Sequence, residues 1–228
     1  MVIVSATGTA LASSTVSAQA RTLQNFAVQH MLAAALFSRR VGELERTHAG
    51  APFGPFWEEI LHCATASVMT STASLEAYTN ELFFERATVF PGYRSELLDR
   101  LWETFEQKSV LEKFEFALLL RGCPPLDRGV RPYQDMAALI ALRNALMHFK
   151  PEWDDEATRH AKISRHLEGR FSPSPFLTDA LIFPRRWATH ACTAWAVKSA
   201  LDFADEFERA AGLGTKYHRT SRTAGLMP

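Results

Sequence analysis

The chain has 228 residues, of which 47% are apolar and 22% are charged. These proportions are close to those of an average globular protein and leave room for a well-buried core, so most of the chain should fold. Its 25 Lys and Arg residues balance its 25 Asp and Glu residues. That balance excludes a protein that attracts nucleic acid through its overall charge, so any phosphate-binding surface must be a local patch.

The cysteines and the apolar runs bear on cofactors and compartment. Cys63, Cys123 and Cys192 are widely spaced and form no C-x-x-C pair, which indicates neither a disulfide framework nor a zinc site. His62 and His190, near two of these cysteines, are expected to be core residues rather than metal ligands. No apolar run reaches the roughly 18 residues that suggest a membrane-spanning helix. We therefore expect a cytoplasmic protein with reduced thiols, no metal, no cofactor and no membrane partner.

The N-terminal segment differs in composition from the rest of the chain. Ala18-Gln19-Ala20 resembles a signal-peptidase site, but no positive charge precedes it and Ser, Thr and Gly residues interrupt the apolar stretch. A secretory signal requires a positively charged start and an uninterrupted apolar stretch. We expect residues 1–20 to form a flexible leader.

Helical spacing of apolar residues recurs along the remaining chain, and strand alternation is rare. The predicted helices cover residues 21–46, 56–89, 94–107, 110–122, 133–148, 154–169 and 187–212. Small residues between positions 64 and 74 should allow another helix to approach closely, and Gly212 suits the left-handed position after a helix. The sequence thus predicts an all-α bundle in a single domain, residues 21–212, followed by a flexible basic tail, residues 213–228.

The segment IALRNALMHFKPEW, residues 140–153, places three polar residues in an apolar helix. Asn144 and His148 are one turn apart and about 40° apart around the helix axis, so their side chains can touch. Arg143 and His148 are about 140° apart and about 7.5 Å apart along the axis, so they can share a site only across the edge of the helix. The proline that follows disfavours helical geometry at Lys150. The helix should therefore end near His148, where its dipole favours a cationic imidazole.

These residue types suit RNA cleavage without a metal. The 2′-hydroxyl must lose a proton to attack the adjacent phosphate, and the leaving 5′-oxygen must gain one; a histidine can perform either transfer near neutral pH. Arg143 can clamp the charge that develops on the phosphate, Asn144 can orient the imidazole, and Lys150 can bind the RNA backbone. The alternative is a structural set, in which the arginine pairs with a carboxylate such as Glu76 or Glu81 and the histidine fills core space.

Two segments of the chain resemble the HEPN family (higher eukaryotes and prokaryotes nucleotide-binding domains). LRNALMHFKPEW matches the family motif, an arginine, a polar residue and a histidine a few positions later, at Arg143, Asn144 and His148. The upstream STASLEAYTNELFFE resembles the helix that packs against the motif helix in standalone bacterial members. The resemblance covers about residues 55–153, and the last predicted helix, residues 187–212, is a further candidate for the same resemblance.

The resemblance implies an HEPN-like helical bundle and a metal-independent endoribonuclease, often a toxin or a defence or stress effector with a cognate inhibitor protein. It also implies a homodimer in which two motif helices meet, so that Arg143 of one chain faces His148 of the other. Some members bind nucleotides or act as scaffolds instead. The alternative to a nuclease is therefore a non-catalytic helical module that dimerises or binds a partner or nucleotide.

Two further groups of residues are candidates for supporting roles. Glu76 and Asn80 are one helical turn apart and can face the same neighbour, and for Glu76 we favour a structural contact with Arg143 over a catalytic role. The segment RHAKISRH, residues 159–166, could form an RNA-contacting patch. An ordinary solvated face is favoured there, because the acidic residues 154–156 dilute the charge.

Overall fold

Helices dominate the structure. The computed structural model describes residues 2–5, 19–22, 24–153, 155–217, 225 and 227–228. Within those residues lie eight α-helices: α1 Phe26–Thr47, α2 Phe56–Phe84, α3 Arg86–Val89, α4 Ser95–Phe105, α5 Val110–Leu120, α6 Arg131–Met147, α7 Thr158–Leu167 and α8 His190–Ala211. A π-helical turn, Ile182–Arg186, precedes α8, and Gly212 follows it with the predicted left-handed φ of 63°. The all-α class is confirmed, and the HEPN-like arrangement stays a prediction.

Two short strands precede α1. β1, Val2–Ser5, pairs antiparallel with β2, Gln19–Thr22. The sequence pattern predicts neither strand, because the two segments are far apart in the chain and no short turn signal joins them. Of the predicted flexible leader, residues 1–20, positions 1 and 6–18 lie outside the described part of the chain.

α1 and α2 meet along an antiparallel seam of small residues. The Ser67 hydroxyl donates to the carbonyl oxygen of Ala34 at 2.9 Å, and two turns further along α2 the Ser74 hydroxyl donates to the carbonyl oxygen of Ala27 at 2.6 Å. Both hydroxyls are buried. Because each one finds a partner on the facing backbone, the helices approach closely without burying unpaired polar groups. The close approach predicted for positions 64–74 is confirmed.

The chain after α8 stays packed against the bundle as far as Tyr217. The Tyr217 side chain is fully buried, and its hydroxyl shares a 2.9 Å hydrogen bond with the hydroxyl of Ser74. The prediction that the flexible tail, residues 213–228, begins at residue 213 is therefore wrong. Burial of the Tyr217 ring and its buried hydrogen bond hold the chain to the core past that residue. Positions 218–224 and 226 of that tail lie outside the described residues.

α6 and α7 lie antiparallel beside each other. Just past the C-terminus of α6, the carbonyl oxygen of Lys150 lies 3.0 Å from Nε2 of His160 in the first turns of α7. At the opposite end, the guanidinium of Arg170, just past α7, forms an ion pair with Asp135 near the start of α6. These two contacts fix the relative direction of the helices and therefore determine which of their side chains face each other.

Candidate functional site

Two stripes of side chains enclose a groove between α6 and α7. The α6 stripe is Ala141, Asn144, Ala145 and His148, and the α7 stripe is Arg159, Lys162, Ile163 and His166. Both follow the i, i+3, i+4, i+7 spacing of a single helix face. With Lys150, His160 and Phe183, these residues line a cavity of about 430 Å³, which we call the α6–α7 groove. The alanines leave room between the helices, and the volume is in the range of small-ligand sites.

His148 lies directly after α6, as the sequence predicts. Its backbone N–H donates to the carbonyl oxygen of Asn144 at 2.9 Å, and its own φ and ψ of −113° and 41° are no longer helical. The side chains of Asn144 and His148 are both exposed and both line the α6–α7 groove. Positions four apart on a helix lie on one face, so the predicted pairing of these two residues follows from helix geometry.

Glu152 anchors the segment that connects α6 to α7. Its Oε2 accepts hydrogen bonds from the backbone N–H groups of Arg159 and His160, each at 3.0 Å. These are among the first N–H groups of α7, which have no partner within the helix, and a negative charge is favourable at that end of the helix dipole. The contact holds the exposed Lys150 beside the groove, two residues before Glu152.

His160 has a structural position although it lines the groove. It is only 5% exposed, and its ring packs against Phe149 and Phe183 with centroid distances of 5.5 Å and 5.2 Å. Its Nε2 is already bonded to the Lys150 carbonyl oxygen. The side chain therefore fixes the end of α6 against α7, and the histidines that a ligand can reach in the groove are His148 and His166, which are both exposed.

Arg143 lies on the other side of α6, away from the groove. Its Nη2 is 3.9 Å from Oε1 of Glu76, and Oε2 of Glu76 accepts a 2.8 Å hydrogen bond from Lys113. The Arg143 side chain is 27% exposed, and its Nε is buried without a hydrogen-bond partner among the described residues. The structure thus brings Arg143 to Glu76, the contact favoured from the sequence, and does not bring it to His148 of the same chain.

Asn80 lies away from the groove, whereas the basic segment 159–166 lines it. Asn80 is exposed on α2 and does not line the groove, and no hydrogen bond joins it to Arg143 in the part of the chain that the structure describes. The segment 159–166, favoured as a solvated face, does have exposed charged side chains, and one of its faces also lines the groove that contains His148. The i, i+3, i+4, i+7 spacing within that segment is the sequence signal that could have predicted a shared helix face lining a site.

The groove carries a local excess of positive charge. Lys150, Arg159 and Lys162 line it, and all three are exposed. The carboxylate of Glu152 lies 3.8 Å from Nε of Arg159, whereas no ion pair involves either lysine among the described residues. A chain with no net charge can bind phosphate only through such a patch. The patch lies next to His148, the residue that the sequence singles out for proton transfer.

Fold and groove together define an all-α protein with a basic groove between two antiparallel helices. No protein-family model, no curated protein and no solved structure matches the chain. The HEPN resemblance therefore rests on the two sequence segments that carry it and stays a prediction. Among the described residues, no helix combines the length and the hydrophobicity that a membrane span requires.

Proposed function

We propose that this chain is a metal-independent endoribonuclease of the HEPN type, which cleaves RNA by attack of a 2′-hydroxyl on the adjacent phosphate. One observation carries the proposal: the exposed His148 shares the α6–α7 groove with Lys150, Arg159 and Lys162. Cations in a groove attract the RNA backbone, and an exposed histidine beside them can transfer protons at a bound phosphate.

His148 has the central role in this mechanism. Its imidazole removes the proton of the 2′-hydroxyl or donates a proton to the leaving 5′-oxygen. Asn144, one turn earlier on the same face, orients the imidazole or binds a phosphate oxygen. Lys150 and Arg159 hold the phosphate and stabilise the negative charge that grows on it in the transition state.

Arg143 enters the mechanism through a second copy of the chain. In its own chain it lies beside Glu76 and does not line the groove, but its 3.9 Å contact with that carboxylate is long for a hydrogen bond, and its side chain is 27% exposed. If two α6 helices meet in a homodimer, Arg143 of one chain can face His148 of the other. The composite site then contains both residues of the motif.

Cleavage of total RNA in EDTA tests the proposal. We expect wild type to cleave and His148→Ala to lose about 10²- to 10⁴-fold in rate, the usual contribution of a general acid or base. His62→Ala is the matched control, because His62 is an exposed histidine on α2 that does not line the groove. Circular dichroism must show that all three proteins are folded. Equal cleavage by wild type and His148→Ala contradicts the proposal.

A second candidate function is a non-catalytic module that dimerises or binds a partner or nucleotide. The contact of Arg143 with Glu76 favours it, because an arginine held within its own chain has a structural role without any substrate. A well-folded wild type that cleaves no RNA at micromolar concentration supports this candidate. A toxin or stress-effector role, a cognate inhibitor protein and a cytoplasmic location belong to the nuclease proposal and are inferred from the resemblance alone.

A further inference from the structure

The two exposed histidines of the α6–α7 groove stand at different ends of it. The Lys150–His160 contact places the start of α7 beside the end of α6, and the Arg170–Asp135 ion pair places the end of α7 beside the start of α6. His148 is the last residue of the α6 stripe and therefore lies at the end of the groove where α7 begins. His166 is the last residue of the α7 stripe and lies at the opposite end of the groove. The two positions are therefore about 10 Å apart along the helix axes.

Lys162 and His166 form a second polar pair on α7, about 4.5 Å and about 10 Å further along the helix axis than Arg159. They are four positions apart on α7, so their side chains share one face, and both are exposed and line the groove. In the described part of the chain neither takes part in an ion pair, in contrast to Arg159, whose guanidinium lies near Glu152. Both side chains can therefore bind an anion without first giving up a carboxylate partner.

We infer that the groove binds single-stranded RNA through at least two phosphates, one beside His148, Lys150 and Arg159 and a neighbouring one beside Lys162 and His166. This inference rests on the proposed function for the identity of the first phosphate as the scissile one. A stacked strand carries one phosphate per about 3.4 Å of its axis, so a groove about 10 Å long spans more than one. Beside these cations, the apolar surface of Ala145 and Ile163 faces the less polar sugar and base groups.

The role of Lys162 and His166 in this inference is binding rather than chemistry. A general acid or base must come within hydrogen-bond reach of the proton that it transfers. Side chains attached about 5–10 Å further along α7 than Arg159 bind a neighbouring phosphate instead. Their contacts are the same in the ground state and the transition state, so their loss raises KM and leaves kcat nearly unchanged, whereas loss of His148 lowers kcat.

Binding of a fluorescent 2′-deoxy oligonucleotide, measured by anisotropy at several salt concentrations, tests the second phosphate site. Such a strand lacks the attacking hydroxyl and stays intact whether or not the protein is a nuclease. We expect Lys162→Ala to weaken binding about five- to ten-fold and to reduce the slope of log K against log salt by about 0.7, the value for one phosphate contact on a single strand. His166→Gln should weaken binding in the same direction.

Arg165→Ala is the matched control, because Arg165 is an exposed cation on α7 that does not line the groove. Equal binding by Lys162→Ala and Arg165→Ala overturns the inference, and so does displacement of the oligonucleotide by a polyglutamate peptide at equal charge concentration, which indicates an acidic protein ligand. The two proposals fail separately. Absence of RNA cleavage with a Lys162-dependent binding loss removes only the nuclease, and cleavage with unchanged KM in Lys162→Ala removes only the second phosphate site.

Discussion

The guanidinium of Arg143 and the carboxylate of Glu76 lie 3.9 Å apart, and Lys113 shares the same carboxylate at 2.8 Å. Glu76 thus pairs with two cations from two other helices, α5 and α6. The Lys113 side chain is only 7% exposed, so it depends on Glu76 more strongly than Arg143 does, whose side chain is 27% exposed. A buried ammonium that loses its carboxylate retains the cost of desolvation without compensation.

We therefore expect Glu76→Gln to lower the free energy of unfolding by about 1–3 kcal/mol, less than for a fully buried pair because Glu76 is one-third exposed. Arg143→Ala should lower it by less, since Arg143 reaches the solvent. The double variant Glu76→Gln/Lys113→Met removes the unpaired charge and should regain most of the loss. Urea unfolding followed by circular dichroism measures all three. A Glu76→Gln midpoint equal to that of wild type contradicts the structural role assigned to this carboxylate.

The composite site makes a prediction about mixed dimers. Arg143→Ala and His148→Ala should each be inactive alone. In a two-fold dimer, half of randomly mixed dimers carry one copy of each variant, and each of these contains one complete site, so coexpression should restore about a quarter of wild-type cleavage. RNA cleavage by the copurified mixture measures this. No recovery in a mixture shown to contain heterodimers means that Arg143 and His148 do not act across the dimer.

The two groove histidines of α7 should differ in their effect on stability. His160 is buried, bonded to the Lys150 carbonyl oxygen and packed between two phenylalanine rings, so His160→Ala should cost about 2–4 kcal/mol through the cavity and the lost hydrogen bond. His166 is exposed, and His166→Ala should change stability by less than about 0.5 kcal/mol. Urea unfolding compares them. Equal losses for both variants contradict the division into a structural and a ligand-facing histidine.

Tyr217 should stabilise the bundle although it lies beyond the last helix. The ring is fully buried against the core, so Tyr217→Ala should cost about 3–5 kcal/mol. Tyr217→Phe keeps the ring but removes the hydrogen bond to Ser74, and should cost about 0.5–1.5 kcal/mol. Thermal unfolding separates the two contributions. Unchanged stability in both variants means that the segment after Gly212 does not contribute to the core in solution.

Local patterns predict the helices of this protein but only some of the contacts between them, and the α6–α7 groove is not among those predicted. The apolar spacing around Asn144 and His148 and the proline after Lys150 are enough to place α6 and its end, since both effects act within a few residues. The groove depends on Glu152 binding the start of α7, and on which face of α7 turns towards α6. Those contacts join residues whose mutual position only the folded chain determines.

The same limit explains why the sequence places neither the basic segment in the groove nor Tyr217 in the core. When charge is counted along the chain, the acids at 154–156 dilute the basic segment, whereas in the fold Lys162 and His166 line the groove from one helix face. The order of Tyr217 likewise depends on Ser74, far away in sequence on α2. Asn144 and His148, by contrast, both line the groove, on the one face where helix geometry alone predicts them.

Glu45 should make the stability of the protein depend on pH. Its Oε1 accepts a 2.9 Å hydrogen bond from the backbone N–H of His190, which joins α1 to the start of α8. Burial raises the pKa of the Glu45 carboxyl above its ordinary value of 4.5, although the hydrogen bond from His190 acts in the opposite direction. The folded state therefore binds the Glu45 proton more tightly than the unfolded state, and stability falls as pH rises through the range from the unfolded pKa to the folded pKa.

Glu45→Gln removes this titration and keeps an oxygen that accepts the His190 N–H. We expect the variant to gain stability relative to wild type as the pH is raised from about 4 to 7, because only wild type must then hold a desolvated carboxylate. Urea unfolding at both pH values measures the difference, and Glu103→Gln, an exposed position on α4, is the control. If Glu45→Gln loses stability relative to wild type as the pH rises, the hydrogen bond from His190 outweighs burial, and the ionised carboxylate stabilises the junction of α1 and α8.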